Sequence, residues 1–343
     1  MKSNISRVLI ETIVRKTLTE IKDSPERSSR NLVDMALHFA KGRFQQHFLQ
    51  MAQDTLRDEN SPFYALIQDI VHSVDTERIL TFGMNIGYNS CTRGADVIRS
   101  LEESNHFNIP WALALELDPA ALPAQAEKYQ TLLSQGKELG IYAWLLFSDP
   151  MPQAALFLAA QNPDCAFVLF CDPESITEAL LDEAEPLYNL MFAVRRTDPE
   201  YTGRALDALR SRAFLYSVCY SYNSGNQDFI TGGDCLSEAQ IWHPAFTIFY
   251  PEPGCPLSVR HTITDYARSA RLHPQFRTAP LELFSDMELI DSVISDDACS
   301  AGFDREGRLY TIHASGSSAD CLLFRDTLSD ILRRTFPKEV PVL

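Results

Sequence analysis

Basic residues are scarce in this sequence. Its 343 residues include 30 lysines and arginines against 46 aspartates and glutamates, which gives a formal net charge of −16. A surface of this charge repels phosphate groups, and no run of lysine and arginine offsets the repulsion. We therefore predict neither nucleic acids nor anionic membranes as partners.

Long apolar runs are also missing, so the sequence predicts no membrane-spanning helix. The amino-terminal residues do not resemble an export signal, because Glu11 and Arg15 interrupt the apolar stretch. The eight cysteines are scattered and include no Cys-x-x-Cys pair. This pattern is typical of reduced thiols, so we expect a cytoplasmic protein without a metal centre.

A third absence concerns glycine: no Gly-x-Gly-x-x-Gly motif follows the first predicted strand, which counts against a dinucleotide-binding fold. What the sequence does contain is ordinary for a globular protein, with 45% hydrophobic and 22% charged residues. Residues 1–75 carry apolar side chains at helical spacing, for example Val14, Leu18 and Ile21. They predict an amino-terminal helical region.

From residue 79 onward, short apolar strands alternate with helical segments. The predicted strands are 79–82, 111–117, 141–147, 166–170, 190–194, 214–220 and 245–250. Continuous apolar strands separated by helices are typical of a parallel sheet that is covered on both faces. Six or seven such units in one run favour an α/β fold of the TIM-like (β/α) barrel type, closed or partial, over a doubly wound sheet.

An Asp-Pro pair recurs just after the predicted strands. Asp accepts hydrogen bonds from the first amides of a helix, and Pro suits the first helical position, so we interpret most of these pairs as helix caps. The four pairs are Asp118-Pro119, Asp149-Pro150, Asp172-Pro173 and Asp198-Pro199.

Beyond residue 250 the sequence becomes irregular and rich in proline. Asp304-Arg305-Glu306-Gly307 is typical of a turn between two short strands, so residues 299–316 predict a hairpin. A terminal amphipathic helix follows at 327–334. We therefore predict three parts: a helical region at 1–75, a (β/α) barrel at 76–255 and a carboxyl-terminal extension at 256–343.

Cys299-Ser300-Ala301-Gly302, followed by Gly307-Arg308-Leu309-Tyr310, resembles the carboxyl-terminal hairpin of the radical S-adenosylmethionine superfamily with a SPASM or twitch extension. The order of units from residue 79 onward is similar too. The resemblance implies a partial (β/α) barrel with a loop after the first strand that holds a cofactor.

The sequence departs from that family at its cofactor motifs. The family holds an iron–sulfur cluster with three cysteines in a CxxxCxxC loop, whereas the corresponding loop here contains Cys91 alone. The family's Gly-Gly-Glu motif survives at most as Glu116. The resemblance therefore implies a relative without a cluster, and we expect neither an iron–sulfur cluster nor bound S-adenosylmethionine.

The carboxyl ends of parallel strands converge on one mouth, where α/β proteins place their functional residues. Cys91, at the start of a predicted helix, would have a lowered thiol pKa, but with no recognisable histidine motif it is better interpreted as a loop thiol than as a nucleophile. The candidate ligand-binding residues at this mouth are Asn85, Asn89, Cys91, Glu116, Asp149, Asp172, Arg195, Arg196 and Tyr220.

Glu116 is a charged residue in an otherwise apolar strand, and burying its charge is costly unless it is paired. Because side chains alternate along a strand, we expect Glu116 to point into the barrel and Leu117 to face the helices. Its obvious internal partner is Arg195 or Arg196. An internal salt bridge and a functional role both remain open for it.

Two functions fit these observations. The first is a non-catalytic or accessory barrel that binds a small molecule or a peptide at the mouth. The second is a metal-assisted or acid–base enzyme that uses Glu116, Asp149 and Asp172, since carboxylates suit hard divalent cations. We favour the first, because helix capping already accounts for most of the carboxylates. The sequence predicts no oligomeric state.

Overall fold

The computed structural model describes residues 2–40, 42–295, 297–311, 318 and 320–338. In these residues six helices precede the sheet, and a stretch of π-helix joins the last two of them. Their bounds are α1 Lys2–Asp23, α2 Pro25–Phe39, α3 Arg43–Thr55, α4 Pro62–Ser73, α5 Thr76–Met84, the π-helix Asn85–Gly94 and α6 Ala95–Asn105.

Nine strands in the described part of the chain form one curled sheet, a half-barrel. The strand order is β7-β6-β5-β4-β3-β2-β1-β8-β9, and every neighbouring pair is parallel except β8 with β9. The strands are β1 Ala112–Glu116, β2 Ala143–Phe147, β3 Ala166–Cys171, β4 Leu190–Arg195, β5 Tyr216–Tyr222, β6 Phe246–Pro251, β7 Ala279–Glu282, β8 Ala301–Phe303 and β9 Leu309–Thr311. The predicted partial (β/α) barrel is confirmed.

Helices lie between successive strands and after the last one, and all but the helix that follows β7 cover the convex face of the sheet. They are α7 Leu122–Glu138, α8 Leu156–Gln161, α9 Glu178–Ala184, α10 Pro199–Ser211, α11 Gln227–Thr231, α12 Asp234–Ala239, α13 Leu257–Leu272, α14 Leu283–Ile294 and α15 Leu328–Thr335. Leu113 and Leu115 of β1 belong to the core beneath the outer helices. Ala112 and Ala114 face the concave side, where Met287 of α14 packs against the same cluster.

The first predicted strand, 79–82, is wrong: these residues lie in the helix α5. The Asp75 side chain starts this helix by accepting hydrogen bonds from the amides of Glu77 at 2.8 Å and Arg78 at 3.2 Å. Leu80 packs towards α1, and Phe82 packs against strand residues of the sheet. Because α5 packs against α1 on one side and against the sheet on another, residues 79–82 are mostly apolar and resemble a buried strand.

The segment from α5 through the π-helix packs against the amino ends of the strands. The Arg78 guanidinium donates hydrogen bonds of 2.7 Å to the carbonyls of Glu185 and Leu187, which precede β4. The guanidinium carbon, Cζ, lies 3.9 Å from the centre of the Phe214 ring. The segment that the sequence placed at the mouth therefore lies at the opposite end of the half-barrel.

The end of the π-helix approaches the end of α7 closely enough to need two glycines. A Cβ on Gly94 would lie 2.3 Å from the Gly140 carbonyl oxygen, and Gly140 has a positive φ of 93°. This backbone contact fixes the helical segment against the layer of helices outside the sheet.

The predicted hairpin is present as β8 and β9, joined by a turn at Asp304. Its predicted span continues into 312–316, which lie outside the described residues. Strand β8 pairs in parallel with β1, Phe303 opposite Leu115, and β9 pairs antiparallel with β8. The strands β7, β8 and β9, which lie beyond residue 255, thus belong to the same sheet as those before it. The predicted terminal helix is α15, capped by Thr327.

Candidate ligand-binding site

Two aspartates and an arginine meet at the carboxyl ends of β2, β3 and β4. The Arg195 guanidinium lies 2.7 Å from the Asp149 carboxylate and 3.1 Å from the Asp172 carboxylate. These three residues end or follow neighbouring parallel strands, so their side chains share the concave face. The structure therefore brings together three of the residues predicted for the mouth.

Burial dominates the electrostatics of this cluster. Desolvation raises the pKa of Asp149 above its ordinary value, although the nearby Arg195 charge opposes the rise. Burial alone would lower the pKa of Arg195, but Asp149 and Asp172 outweigh it and raise the value, so the guanidinium stays charged. The second oxygen of Asp149, Oδ1, is buried and has no hydrogen-bond partner among the described residues. This oxygen can accept a hydrogen bond from a donor group of a bound molecule.

Glu116 points into the half-barrel as predicted, and Leu117 is fully buried on the opposite side. The predicted arginine partner is wrong, because Arg195 is held by Asp149 and Asp172. The Tyr310 hydroxyl donates a hydrogen bond to Glu116 instead. Burial raises the pKa of Glu116, and the negative charge of Asp304 adds to the rise.

Gly302 on β8 makes room for Tyr310, which lies on the neighbouring strand. A Cβ on Gly302 would lie 2.5 Å from the Tyr310 hydroxyl oxygen and 2.9 Å from the Ala114 Cβ. The phenol ring therefore crosses over the glycine to reach Glu116. The turn of the same hairpin places Arg305 at the mouth, where it donates a hydrogen bond of 3.2 Å to the Asp149 carbonyl.

The repeated Asp-Pro pairs divide into two groups. Asp198 caps α10 by accepting from the amides of Glu200 and Tyr201, and Asp118 accepts from the Ala120 amide at 3.0 Å. In the described ranges, neither the Asp149 nor the Asp172 side chain caps a helix, and both bind Arg195. The interpretation as helix caps therefore holds for Asp198-Pro199, whereas Asp118 supports only the turn before α7, whose N-cap is Ala121. The other two pairs carry side chains of the mouth.

Asn85, Asn89 and Cys91 lie far from the mouth, at the amino ends of the strands. The Asn85 amide donates to the carbonyls of Pro163 and Cys165, and Asn89 donates to the Asp164 carbonyl at 2.8 Å. Their predicted position at the mouth is wrong, because they lie on a helix and not on a loop after a strand. Burial raises the pKa of the Cys91 thiol to about 12, opposite to the predicted lowering.

Arg196 and Tyr220 face the convex side and not the mouth. The Arg196 guanidinium pairs with the Glu238 carboxylate at 3.0 Å, and the Tyr220 hydroxyl donates to the same carboxylate at 2.9 Å. Alternation along the strand explains both positions, because Arg195 already takes the inner face of β4 and Cys219 that of β5.

A cavity of about 310 Å³ lies where the curled sheet is open, and we call it the seam cavity. Glu252 and Cys255 line it from the loop after β6, and Arg260 lines it from the first turn of α13. Phe284 of α14 and Tyr310 of β9 complete the aromatic part of its wall. Sequence reasoning missed this group. The hairpin motif pointed towards Tyr310, but no local pattern distinguished Arg260 from other helix arginines.

The described residues contain no group of three His, Cys, Asp or Glu side chains that could hold a metal ion. All eight cysteines are free thiols, seven of them buried and Cys255 partly exposed. Residues 117–121, which follow β1, the first strand in the sequence, contain no cysteine. No helix in the described ranges has both the length and the apolar character needed to cross a membrane.

Comparison with known proteins gives matches in structure alone. No protein-family model and no curated protein matches the sequence. The crystal structure of Streptococcus suis SuiB bound to S-adenosylmethionine matches with a TM-score of 0.50 at 9% identity, over 69% of this chain and 66% of that chain. This chain thus spans just under two thirds of that protein. A second structure of Streptococcus suis SuiB has a TM-score of 0.48 at 11% identity, over 82% of this chain and 81% of that chain. The first match supports a fold like that of the radical S-adenosylmethionine enzymes, a partial barrel with a curled parallel sheet.

Proposed function

We propose that this protein binds a small molecule or a short peptide at the carboxyl mouth of its half-barrel, and that its role is non-catalytic or accessory. The observation that carries the proposal is the cluster at the mouth, where the buried Oδ1 of Asp149 has no partner in the described part of the chain and lies beside the charged Arg195. A buried acceptor without a donor costs free energy, and a bound ligand that supplies the donor recovers it.

The cysteine positions support a barrel without an iron–sulfur cluster. A cluster needs thiolates that converge, and the thiols of Cys91, Cys171 and Cys299 are buried in different parts of the fold. Burial raises the pKa of Cys91 to about 12, which disfavours the thiolate. The residues present do not fit the cluster of the similar enzymes, so we assign no radical step to this chain.

The enzyme alternative has less support. Arg195 occupies the space between Asp149 and Asp172, which a divalent cation would need in order to bridge these carboxylates. Glu116 is engaged by Tyr310 on the far side of the mouth. The binding role therefore fits the arrangement better than metal-assisted catalysis does.

Ligand screening by thermal shift tests the proposal, with saturation-transfer NMR as a second readout. A library of polar metabolites and short peptides is applied to the wild type, to Arg195→Gln and to Arg268→Gln. Arg268 is an exposed arginine on α13 and serves as the matched control. We expect a ligand that stabilises the wild type and the control but not Arg195→Gln. Absence of any ligand, or equal binding of every ligand found by all three proteins, would contradict binding at the mouth.

Iron content tests the absence of a cluster. Protein purified without oxygen is expected to be colourless and to hold no stoichiometric iron, measured by absorption spectroscopy and elemental analysis. Several irons per chain with a charge-transfer band would show that distant cysteines hold a cluster.

A further inference from the structure

The seam cavity carries a cation without a protein partner. Arg260 lines the cavity and is only partly exposed, yet its guanidinium forms no ion pair and no side-chain hydrogen bond with any described residue. The guanidinium influences Glu282 and Tyr222 electrostatically, but each of these is satisfied elsewhere. The Tyr222 hydroxyl donates to the Glu282 carboxylate at 2.8 Å, and the Ser285 amide donates to the same carboxylate at 2.7 Å. The N–H groups of the guanidinium are thus available to donate hydrogen bonds to a carboxylate from outside the chain.

The same cavity carries a carboxylate that no cation neutralises. Glu252 forms no ion pair with a described residue. Its Oε1 accepts one hydrogen bond from the Ser221 hydroxyl at 3.0 Å, and its Oε2 accepts one from the Asn223 amide. These two donors hold the carboxylate in place, and each oxygen retains capacity to accept a further donor.

The remaining wall and the volume limit the size of the occupant. Phe284 and Tyr310 contribute aromatic surface, which favours an apolar or aromatic side chain. A volume of about 310 Å³ is at the lower end of the range of small-molecule sites, so it suits one small molecule rather than an extended peptide. The net charge of −16 disfavours ligands with a net negative charge, whereas a zwitterion has none.

We propose that the seam cavity binds a free amino acid as its zwitterion, with Arg260 on the carboxylate and Glu252 on the ammonium group. Phe284 and Tyr310 contact the side chain, which is aromatic or large and apolar. The inference goes beyond the proposed function, because Asp149, Asp172 and Arg195 of the mouth do not line the seam cavity. It also connects the ligand to the mouth, because Tyr310 donates its hydroxyl hydrogen bond to Glu116.

Calorimetric titration tests the two contacts separately. Thermal shift with the proteinogenic amino acids first selects the best ligand, and three probes then follow: L-phenylalanine as the aromatic reference, its amide without the carboxylate, and 3-phenylpropanoate without the ammonium. We expect loss of either group to weaken binding at least about tenfold, since each removes a charge-assisted hydrogen bond. Arg260→Gln should weaken binding of the amino acid by a similar factor and leave the affinity for the amide unchanged. Glu252→Gln should weaken binding of the amino acid and leave the affinity for 3-phenylpropanoate unchanged. Arg268→Gln on the same helix is the control and should bind like the wild type.

Each outcome is decisive. If the wild type binds the amino acid and its amide with equal affinity, the assignment of the carboxylate to Arg260 is overturned. This comparison uses the wild type alone, so it does not depend on whether a variant folds. Binding of a metabolite or peptide at the mouth without binding of any amino acid would overturn this inference alone. Failure of every compound in both screens would overturn the proposed function as well.

Discussion

At the scale of single residues, the alternation of side chains along a strand decides which charges meet. Arg195 and Arg196 are neighbours in sequence, but the first pairs with Asp149 and Asp172 inside the mouth and the second with Glu238 outside. Glu116 lies on the inner face too, yet β1 is three positions from β4 in the sheet. Its partner is therefore Tyr310, which reaches it from the hairpin on the other side of β1.

Glu116→Gln should cost little stability. The Gln side chain keeps an acceptor for the Tyr310 hydroxyl and removes a buried charge whose pKa burial raises. At about pH 8 we expect the free energy of unfolding to stay constant or to rise by up to about 1 kcal/mol. At about pH 4 the gain should vanish, because the wild-type carboxyl is then protonated. Urea titrations at both pH values measure this. A loss of several kcal/mol would instead indicate that Glu116 neutralises a buried cation.

Arg195→Gln should destabilise the protein in a pH-dependent way. Without the guanidinium, the Asp149 and Asp172 carboxylates face each other unneutralised, which should cost about 2 kcal/mol near neutral pH. The Asp172 side chain is 45% exposed, so solvent screens part of the repulsion. Burial raises the pKa of Asp149, so lowering the pH protonates this carboxyl and should recover most of the loss, as urea titrations would record. Arg268→Gln is the control, with an expected change within about 0.5 kcal/mol. A pH-independent loss would refute this explanation.

At the scale of elements, the short hairpin β8–β9 does more than extend the sheet. Through β8 it adds a parallel neighbour to β1, and through β9 it brings Tyr310 over Gly302 to the mouth. The Asp304 carboxylate fixes its turn by accepting hydrogen bonds from the amides of Glu306 and Arg308. The hairpin predicted from the sequence is thus a wall of the candidate site.

Gly302→Ala should displace this wall. The new methyl group would lie 2.5 Å from the Tyr310 ring, closer than van der Waals contact allows, so the ring must move away from Glu116. We expect a loss of about 1–3 kcal/mol, as for other overpacked sites. The measurement is urea unfolding, with ligand titration as a second readout.

Gly83→Ala is the matched control for that substitution. Gly83 is exposed on α5, and a Cβ there meets nothing within 4 Å. Alanine should therefore stabilise this helix by up to about 1 kcal/mol. If Gly302→Ala behaves in the same way, Tyr310 does not depend on the glycine.

At the scale of the whole molecule, buried carboxyl groups are unusually prominent. Burial is the largest cause of a raised pKa at each of five carboxyl groups: Glu102, Glu116, Asp149, Glu282 and Asp291. Asp291 is the extreme case, with a pKa raised to about 7 although Ser300 and Trp111 donate hydrogen bonds to it. Carboxyl groups thus extend from the surface into the interior, where burial favours their neutral form.

The free energy of unfolding should therefore fall as the pH rises from about 4 to about 7. In this window the folded state binds protons that the unfolded state has released, which stabilises the fold at the acidic end. For Asp291 the difference between 3.8 and about 7 corresponds to roughly 4 kcal/mol. Urea titrations across the window measure the slope, which Asp291→Asn should reduce. The exposed control Asp265→Asn should leave it unchanged. A stability that rises with pH across this window would contradict the assignment.

The sequence by itself determined the class of fold and the positions of most strands, because burial and helix capping leave local patterns. Apolar runs marked β1 to β6, the Asp198-Pro199 pair marked the start of α10, and a turn motif marked the hairpin. The same local patterns could not separate a helix buried on both sides from a strand, so residues 79–82 were misassigned. The tertiary structure alone decided which inner-face residues meet. The seam cavity joins Glu252, Arg260 and Tyr310, which are distant in sequence, because the sheet curls until its two edges approach each other.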